Sequence, residues 1–116
     1  MSLAVVAGVG LLGGVGAIAR FLLDGAVSAR AGRTFPCGTL VVNLTGAFAL
    51  GFLTGKLSGD AQLLAGTGLL GGYTTFSTWM FESHRLGEDG ELRAGVVNVL
   101  GSLLLGILAV WLGRTL

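Results

Sequence analysis

Charged residues are scarce in this chain of 116 residues: they make up 11% of it, whereas a water-soluble domain carries about 25%. Apolar residues make up 53%, so too little polar surface remains to cover a globule in water. The lone cysteine, Cys37, excludes an intrachain disulfide, and with a single histidine there is no Cys/His metal set. A net charge of +1 offers no electrostatic footprint for nucleic acid. The composition predicts a membrane protein.

Four apolar windows are long enough to cross a bilayer, which takes about 20 mostly apolar residues in a helix. They cover residues 3–23, 35–55, 63–81 and 94–112, so the predicted fold is a single all-α domain over residues 1–116 with four short transmembrane helices. The predicted connections, residues 24–34, 56–62 and 82–93, are short and polar. Because no room remains for an extramembrane domain, we expect function to depend on side chains inside the membrane or at its surfaces. That expectation excludes most enzymes.

Lysine and arginine are divided unevenly between the two predicted membrane faces. The face with both termini has Lys56 and Arg114, and the opposite face has Arg30, Arg33, Arg85 and Arg93. The more basic face is predicted to be cytoplasmic, although a difference of two charges leaves insertion in both orientations open. Since one small four-helix chain cannot easily enclose an aqueous path alone, we expect a dimer.

Glycine is abundant, with 22 residues, and several glycines are spaced for close helix packing. The small-residue pairs are Gly10 with Gly14, Gly51 with Gly55, Gly68 with Gly72, and Ser102 with Gly106. The same spacing serves packing within a subunit or between subunits, so the sequence leaves both uses open.

Polar residues within the first two windows are candidate functional groups, because they are costly in hydrocarbon. Arg20 could reach the interface, pair with Asp24 four residues on, or attract anions into a vestibule. Thr39 and Asn43 share one helix face. The Asn43 amide has two N–H donors, whose partner could be another helix, an anion or a pore water.

The third window contains the most unusual stretch, GGYTTFSTW at residues 71–79. Adjacent glycines followed by hydroxyl residues make a poor continuous helix, so either a mid-membrane break or a kink is expected. In the fourth window, Asn98 and Ser102 lie on one face. Such hydroxyl and amide donors, with no carboxylate or lysine at depth, suit an anion or water better than a proton-coupled transporter.

Three of these stretches together resemble the Fluc or CrcB family of fluoride channels over nearly the whole chain. They are GGVGAIARF around Arg20, FPCGTLVVNLTGAF around Asn43 and GLLGGYTTFST at residues 68–78. The resemblance implies a broken third helix and an antiparallel, dual-topology dimer with two fluoride pores around a structural sodium ion. It also implies passive fluoride exit through the inner cell membrane, which reduces fluoride toxicity.

By the same resemblance, the main-chain carbonyls of Gly71 and Thr74 hold the sodium ion at the dimer interface. Asn43 donates to fluoride, and Phe76 turns its ring edge towards the ion. The other implied pathway residues are Thr39, Thr75 and Ser102, with Arg20 at an entrance vestibule.

Two pathway positions depart from the family pattern: Trp79 stands where a second phenylalanine is usual, and Asn98 where a tyrosine is usual. These substitutions fit either a homodimer with adjusted pores or one subunit of a channel built from two related chains.

Two other classes compete with a fluoride channel. A small multidrug transporter also has four short helices and dual insertion, but its first span should carry a glutamate, and the first acidic residue here is Asp24. A purely structural membrane subunit would leave Asn43 and the GGYTT stretch without a reason.

Overall fold

The computed structural model describes all 116 residues, and every regular element in it is helical. The all-α fold class is therefore confirmed. The elements are α1 (Leu3–Ala31), α2 (Cys37–Thr54), α3 (Gly59–Gln62), a π-helical segment (Leu63–Leu70), α4 (Gly71–Tyr73), α5 (Ser77–Glu88) and α6 (Leu92–Thr115).

Three of the helices, α1, α2 and α6, are long and apolar enough to cross a membrane. Val5 and Val42 are the only buried hydrophobic residues of the chain, and its other apolar side chains are at least partly uncovered. A subunit that buries so little cannot be stabilised by a water-excluding core of its own. Its apolar surface therefore matches lipid or a second chain, as expected for a multi-pass membrane protein.

The helices extend well into two segments predicted as connections. With 29 residues, α1 is about 44 Å long, whereas the hydrocarbon core of a bilayer is about 30 Å thick. Residues 24–31 thus continue the first helix, where the Ser28 hydroxyl donates to Asp24 Oδ1 at 3.2 Å. The helix ends at Gly32, whose φ of 78° favours glycine. Similarly, α5 continues to Glu88, because a polar segment can stay helical once it leaves the membrane.

The third predicted span, residues 63–81, is divided among several helical elements. Its first part, the π-helical segment and α4, packs against α1, whereas α5 packs against α6. Helical geometry stops at Thr74, which has an extended ψ of 162°, and α5 begins at Ser77. The interruption lies next to α2, at the point where the chain stops packing against α1 and begins to pack against α6.

Glycine contacts distinguish packing within the subunit from open surface. Gly72 lies directly against Gly13 of α1, and Gly51 lies against α6, so that a Cβ atom on either would overlap main-chain atoms. A Cβ atom on Gly10 or Gly14 would meet nothing within 4 Å. The Gly51 and Gly72 contacts are thus used inside the subunit, while the Gly10–Gly14 face of α1 is left open.

Candidate functional site

Asn43 and Thr75 form the central contact of the site. Asn43 Nδ2 donates to the Thr75 carbonyl at 2.8 Å, and the Thr75 N–H donates to Asn43 Oδ1 at 2.9 Å. One amide side chain on α2 therefore satisfies both main-chain groups of a residue that has left the helix. A carboxamide nitrogen carries two protons, and only one of them is donated to Thr75. The second Asn43 N–H is therefore not used in this contact.

The Thr75 side chain adds a second donor at the interruption. Its Oγ1 accepts the N–H of Thr78 at 3.2 Å, in the manner of a helix cap on α5. With the oxygen accepting, the hydroxyl proton is free to point elsewhere. The N-terminus of α5, with its partial positive charge, faces the same place, so the interruption collects several features that favour an anion.

A groove of about 720 Å³ runs from the interruption along the space between α2 and α6. Asn43, Thr75, Phe76, Trp79 and Ser102 line one part of it. The remainder is mostly apolar and reaches towards the C-terminal end of α6. The groove brings together five of the residues that the sequence predicts for a fluoride pathway.

A smaller cavity of about 220 Å³ lies on the other side of Thr75 and contains two further predicted residues, Arg20 and Thr39. Thr39, which is 3% exposed, lines it together with Arg20 and Asp24. Arg20 forms no ion pair with Asp24, since the chain's only ion pair joins His84 and Glu88. The buried Arg20 Nε has no hydrogen-bond partner, which fits the vestibule hypothesis better than the pairing one.

Phe76 and Trp79, two of the aromatic residues that line the groove, differ in how firmly they are held. The rings of Phe76 and Trp79 meet edge to face, with centroids 5.7 Å apart and planes at 89°. Phe76 is 69% exposed, so one side of it is uncovered. In contrast, Trp79 Nε1 donates to the main-chain carbonyl of Asn98 at 3.0 Å. The indole N–H is therefore already used within the subunit.

Asn98 lies outside the groove, in a closed network between α5 and α6. It is 2% exposed, and its Nδ2 donates at 2.8 Å to the hydroxyl of Ser83, which in turn donates to the Trp79 carbonyl at 2.8 Å. Ser102 donates to Asn98 Oδ1 at 3.3 Å. Asn98 thus has no direct access to the groove, and its predicted contact with fluoride has no geometric support.

Ser83 is the member of this network that sequence reasoning missed. It falls within residues 82–93, which were expected to form a polar connection, whereas α5 continues through them. The available signal was its position four residues after Trp79, which puts both residues on one helix face.

The carbonyls of Gly71 and Thr74 lie at the edge of the interruption. In a continuous α-helix the Thr75 N–H would donate to the Gly71 carbonyl, but here it donates to Asn43. Thr74 has left the helical conformation, so its own carbonyl also departs from the helical ladder. Main-chain oxygens that leave the helical ladder suit a hard cation such as sodium.

The fold and the site define a class: a small multi-pass helical membrane protein whose polar groups converge where a span is interrupted. The sequence comparisons specify it further. The family model described as "CrcB-like protein, Camphor Resistance (CrcB)" matches residues 7–114. This chain therefore belongs to the CrcB family.

Individual relatives cover almost the full length of the chain. It is 57% identical to "Fluoride-specific ion channel FluC 2" of Mycolicibacterium paratuberculosis, over 99% of this chain and 95% of the relative. It is 53% identical to the protein of the same name from Mycobacterium bovis, over 98% and 91%. A "Fluoride-specific ion channel FluC" from Geobacter sulfurreducens is 44% identical over 90% of both chains.

Proposed function

We propose that this chain is a fluoride-selective channel subunit that lets fluoride leave the cytoplasm passively and thereby reduces fluoride toxicity. It is not an enzyme. The observation that carries the proposal is the Asn43–Thr75 contact at the interruption, on a groove that also contains Phe76. The names of its relatives point to the same ion.

The chemistry of fluoride explains why such a site suits it. A small anion holds its water firmly, so a pore must replace that water with N–H and O–H donors and with the positive edge of an aromatic ring. The spare Asn43 N–H, the Thr75 hydroxyl proton and the Phe76 ring offer these groups. None carries a full positive charge, so the ion is stabilised without being trapped.

The pathway that we propose joins the two spaces that meet at Thr75. Arg20 and Thr39 belong to the smaller cavity, where the arginine acts as an anion-attracting vestibule residue. Asn43, Phe76, Trp79 and Ser102 belong to the groove. Thr75 lines both spaces, so an ion passing between them meets its hydroxyl.

The active unit is proposed to be an antiparallel dimer. The groove is open along one side in a single subunit, and Phe76, at 69% exposure, has an uncovered face there. A second chain would close this side, and the open Gly10–Gly14 face of α1 allows a close approach of another helix. Either an identical chain or a related one could provide this surface.

A structural sodium ion at the dimer interface is the cofactor that we propose. The main-chain carbonyls of Gly71 and Thr74 fit the role, because the interruption removes the usual helical donor from Gly71 and reorients Thr74. The positive charge of the ion would stabilise the non-helical backbone between α4 and α5. Asn43 stabilises the same backbone from the other side, because it bonds to both main-chain groups of Thr75.

Ion efflux from liposomes that contain only the purified chain tests the proposal. We expect fluoride release down its gradient with little chloride release, measured by ion-selective electrodes. Equal chloride release would contradict selectivity, and proton-driven fluoride accumulation would indicate a transporter. If the chain is silent alone but conducts when a related four-helix chain is added, the paired-subunit form is correct.

A further inference from the structure

The direction of the Ser102 hydroxyl proton follows from the bonds around Asn98. The Ser83 hydroxyl has one proton, which goes to the Trp79 carbonyl, a group that can only accept. Ser83 must therefore accept from Asn98, which fixes the Asn98 amide with Nδ2 towards α5. Its other atom, Oδ1, is left facing Ser102 and can only accept the serine proton.

The ordinary alternative for that proton is already occupied. A serine in a helix commonly donates to the carbonyl four residues earlier, which for Ser102 is the main-chain carbonyl of Asn98. A carbonyl oxygen has two lone pairs. In α6 one of them faces the main-chain N–H of Ser102, and the other receives the indole N–H of Trp79 at 3.0 Å. Trp79 and Asn98 together therefore leave the Asn98 side-chain oxygen as the acceptor for Ser102.

We propose that Asn98 is a positioning residue that withholds the Ser102 proton from fluoride and so weakens fluoride binding in the groove. The bond is 3.3 Å long, whereas hydroxyl hydrogen bonds are commonly about 2.7–2.8 Å, so the proton is held only loosely. When no fluoride is bound, Ser102 therefore presents its oxygen lone pairs, and not its proton, to the groove. This inference depends on the proposed fluoride conduction.

The first test is the half-saturating fluoride concentration of efflux in the Asn98→Leu variant, which removes the acceptor and keeps the side chain branched at Cγ. We expect this concentration to fall about two- to tenfold, the range that one net hydrogen bond supports. In the double variant Asn98→Leu, Ser102→Ala the gain should disappear, because no serine proton remains to be released. Thr54→Val removes a hydroxyl bond to the main-chain carbonyl of Leu50 at a residue that does not itself line the groove, and it is the matched control.

A second combination separates this mechanism from a general loss of packing. In the double variant Asn98→Leu, Trp79→Phe, the main-chain carbonyl of residue 98 no longer receives the indole N–H. This carbonyl should then accept the Ser102 proton and reverse the gain in fluoride affinity. A structural role alone would lower thermal stability in every variant without this reversal. An Asn98→Leu gain that persists without Ser102 would overturn the proposal.

A third measurement does not depend on conduction. The ¹³Cγ chemical shift of Asn98 reports whether its Oδ1 accepts a proton, so it should change in Ser102→Ala. An unchanged shift would overturn the inference even in an active channel. A silent wild-type chain with the expected shift would count against conduction by this chain alone but would leave the hydrogen-bond assignment supported.

Discussion

Two asparagines lie inside the membrane-spanning helices and have opposite surroundings. Asn43 bridges from α2 to Thr75, lines the groove and retains a spare N–H. Asn98 is 2% exposed and bonds to Ser83 and Ser102 between α5 and α6. The contrast teaches that a polar residue in hydrocarbon is available to a ligand only when a donor left over by its own network faces an open space. The Asn43 side is open to an ion, whereas the Asn98 side is sealed.

The substitution Asn43→Asp tests the open side and should have the largest effect. A carboxylate has no donor for the Thr75 carbonyl and carries a charge that repels fluoride. Leaving that carbonyl unpaired costs about 1–3 kcal/mol, and the added repulsion should bring the loss of fluoride flux to about thirtyfold or more. Efflux assays measure this loss, with Thr54→Val on the same helix as the control.

Unchanged flux in a folded Asn43→Asp protein would contradict the comparison. It would return Asn43 to a purely helix-bridging role, like that of Asn98.

Sodium withdrawal tests whether the open side also depends on the proposed ion. Replacing sodium by a large organic cation should lower the free energy of unfolding by about 2.7 kcal/mol if the sodium used was a hundred times its dissociation constant. Thermal denaturation in detergent measures the effect. Thr74→Ser should leave it unchanged, because serine keeps the hydroxyl bond to the Leu70 carbonyl and the proposed ligand is the main chain. Equal stability in both salts would remove the sodium proposal.

Gly72→Ala tests the packing that supports the open side. The new methyl group would overlap Gly13, so α4 would have to move away from α1. Overpacking of this kind costs about 1–3 kcal/mol, which chemical denaturation can measure. We expect faster hydrogen exchange of the Thr75 amide and little change on α6. Gly25→Ala is the control, since a Cβ atom there meets nothing within 4 Å. Equal destabilisation by both variants would contradict the close contact.

Trp79→Phe lies at the boundary between the two sides and should have the smallest effect. It removes the indole bond to the Asn98 carbonyl, worth about 1 kcal/mol, and widens the groove wall. We expect maximal fluoride flux to rise by about two- to threefold, which is within 1 kcal/mol of barrier height. The half-saturating concentration should stay the same, because the Ser102 proton still has an acceptor. Unchanged flux would mean that Trp79 serves packing alone.

The predicted spans show how much of the fold can be predicted from runs of apolar residues. The windows 3–23 and 94–112 lie within α1 and α6, and the window 35–55 contains α2, because a run of apolar residues determines where a helix can cross a membrane. The ends of the helices were less predictable. Residues 24–31 are helical because Ser28 and Asp24 stabilise a turn beyond the membrane and Gly32 ends it. Hydropathy has no access to either feature.

The amino-acid sequence by itself determined that this is a membrane protein of the CrcB type, since composition and local motifs are properties of the chain alone. Tertiary structure decided which asparagine is available and where the Trp79 N–H goes. Asn43 bonds to Thr75, which lies 32 residues away at the interruption, and Asn98 bonds to Ser83 and Trp79 of α5, which lie 15 and 19 residues away. Helical spacing says which face a side chain occupies but not what it meets there. Only packing brings each donor to one acceptor, and in hydrocarbon that pairing determines which protons remain for an ion.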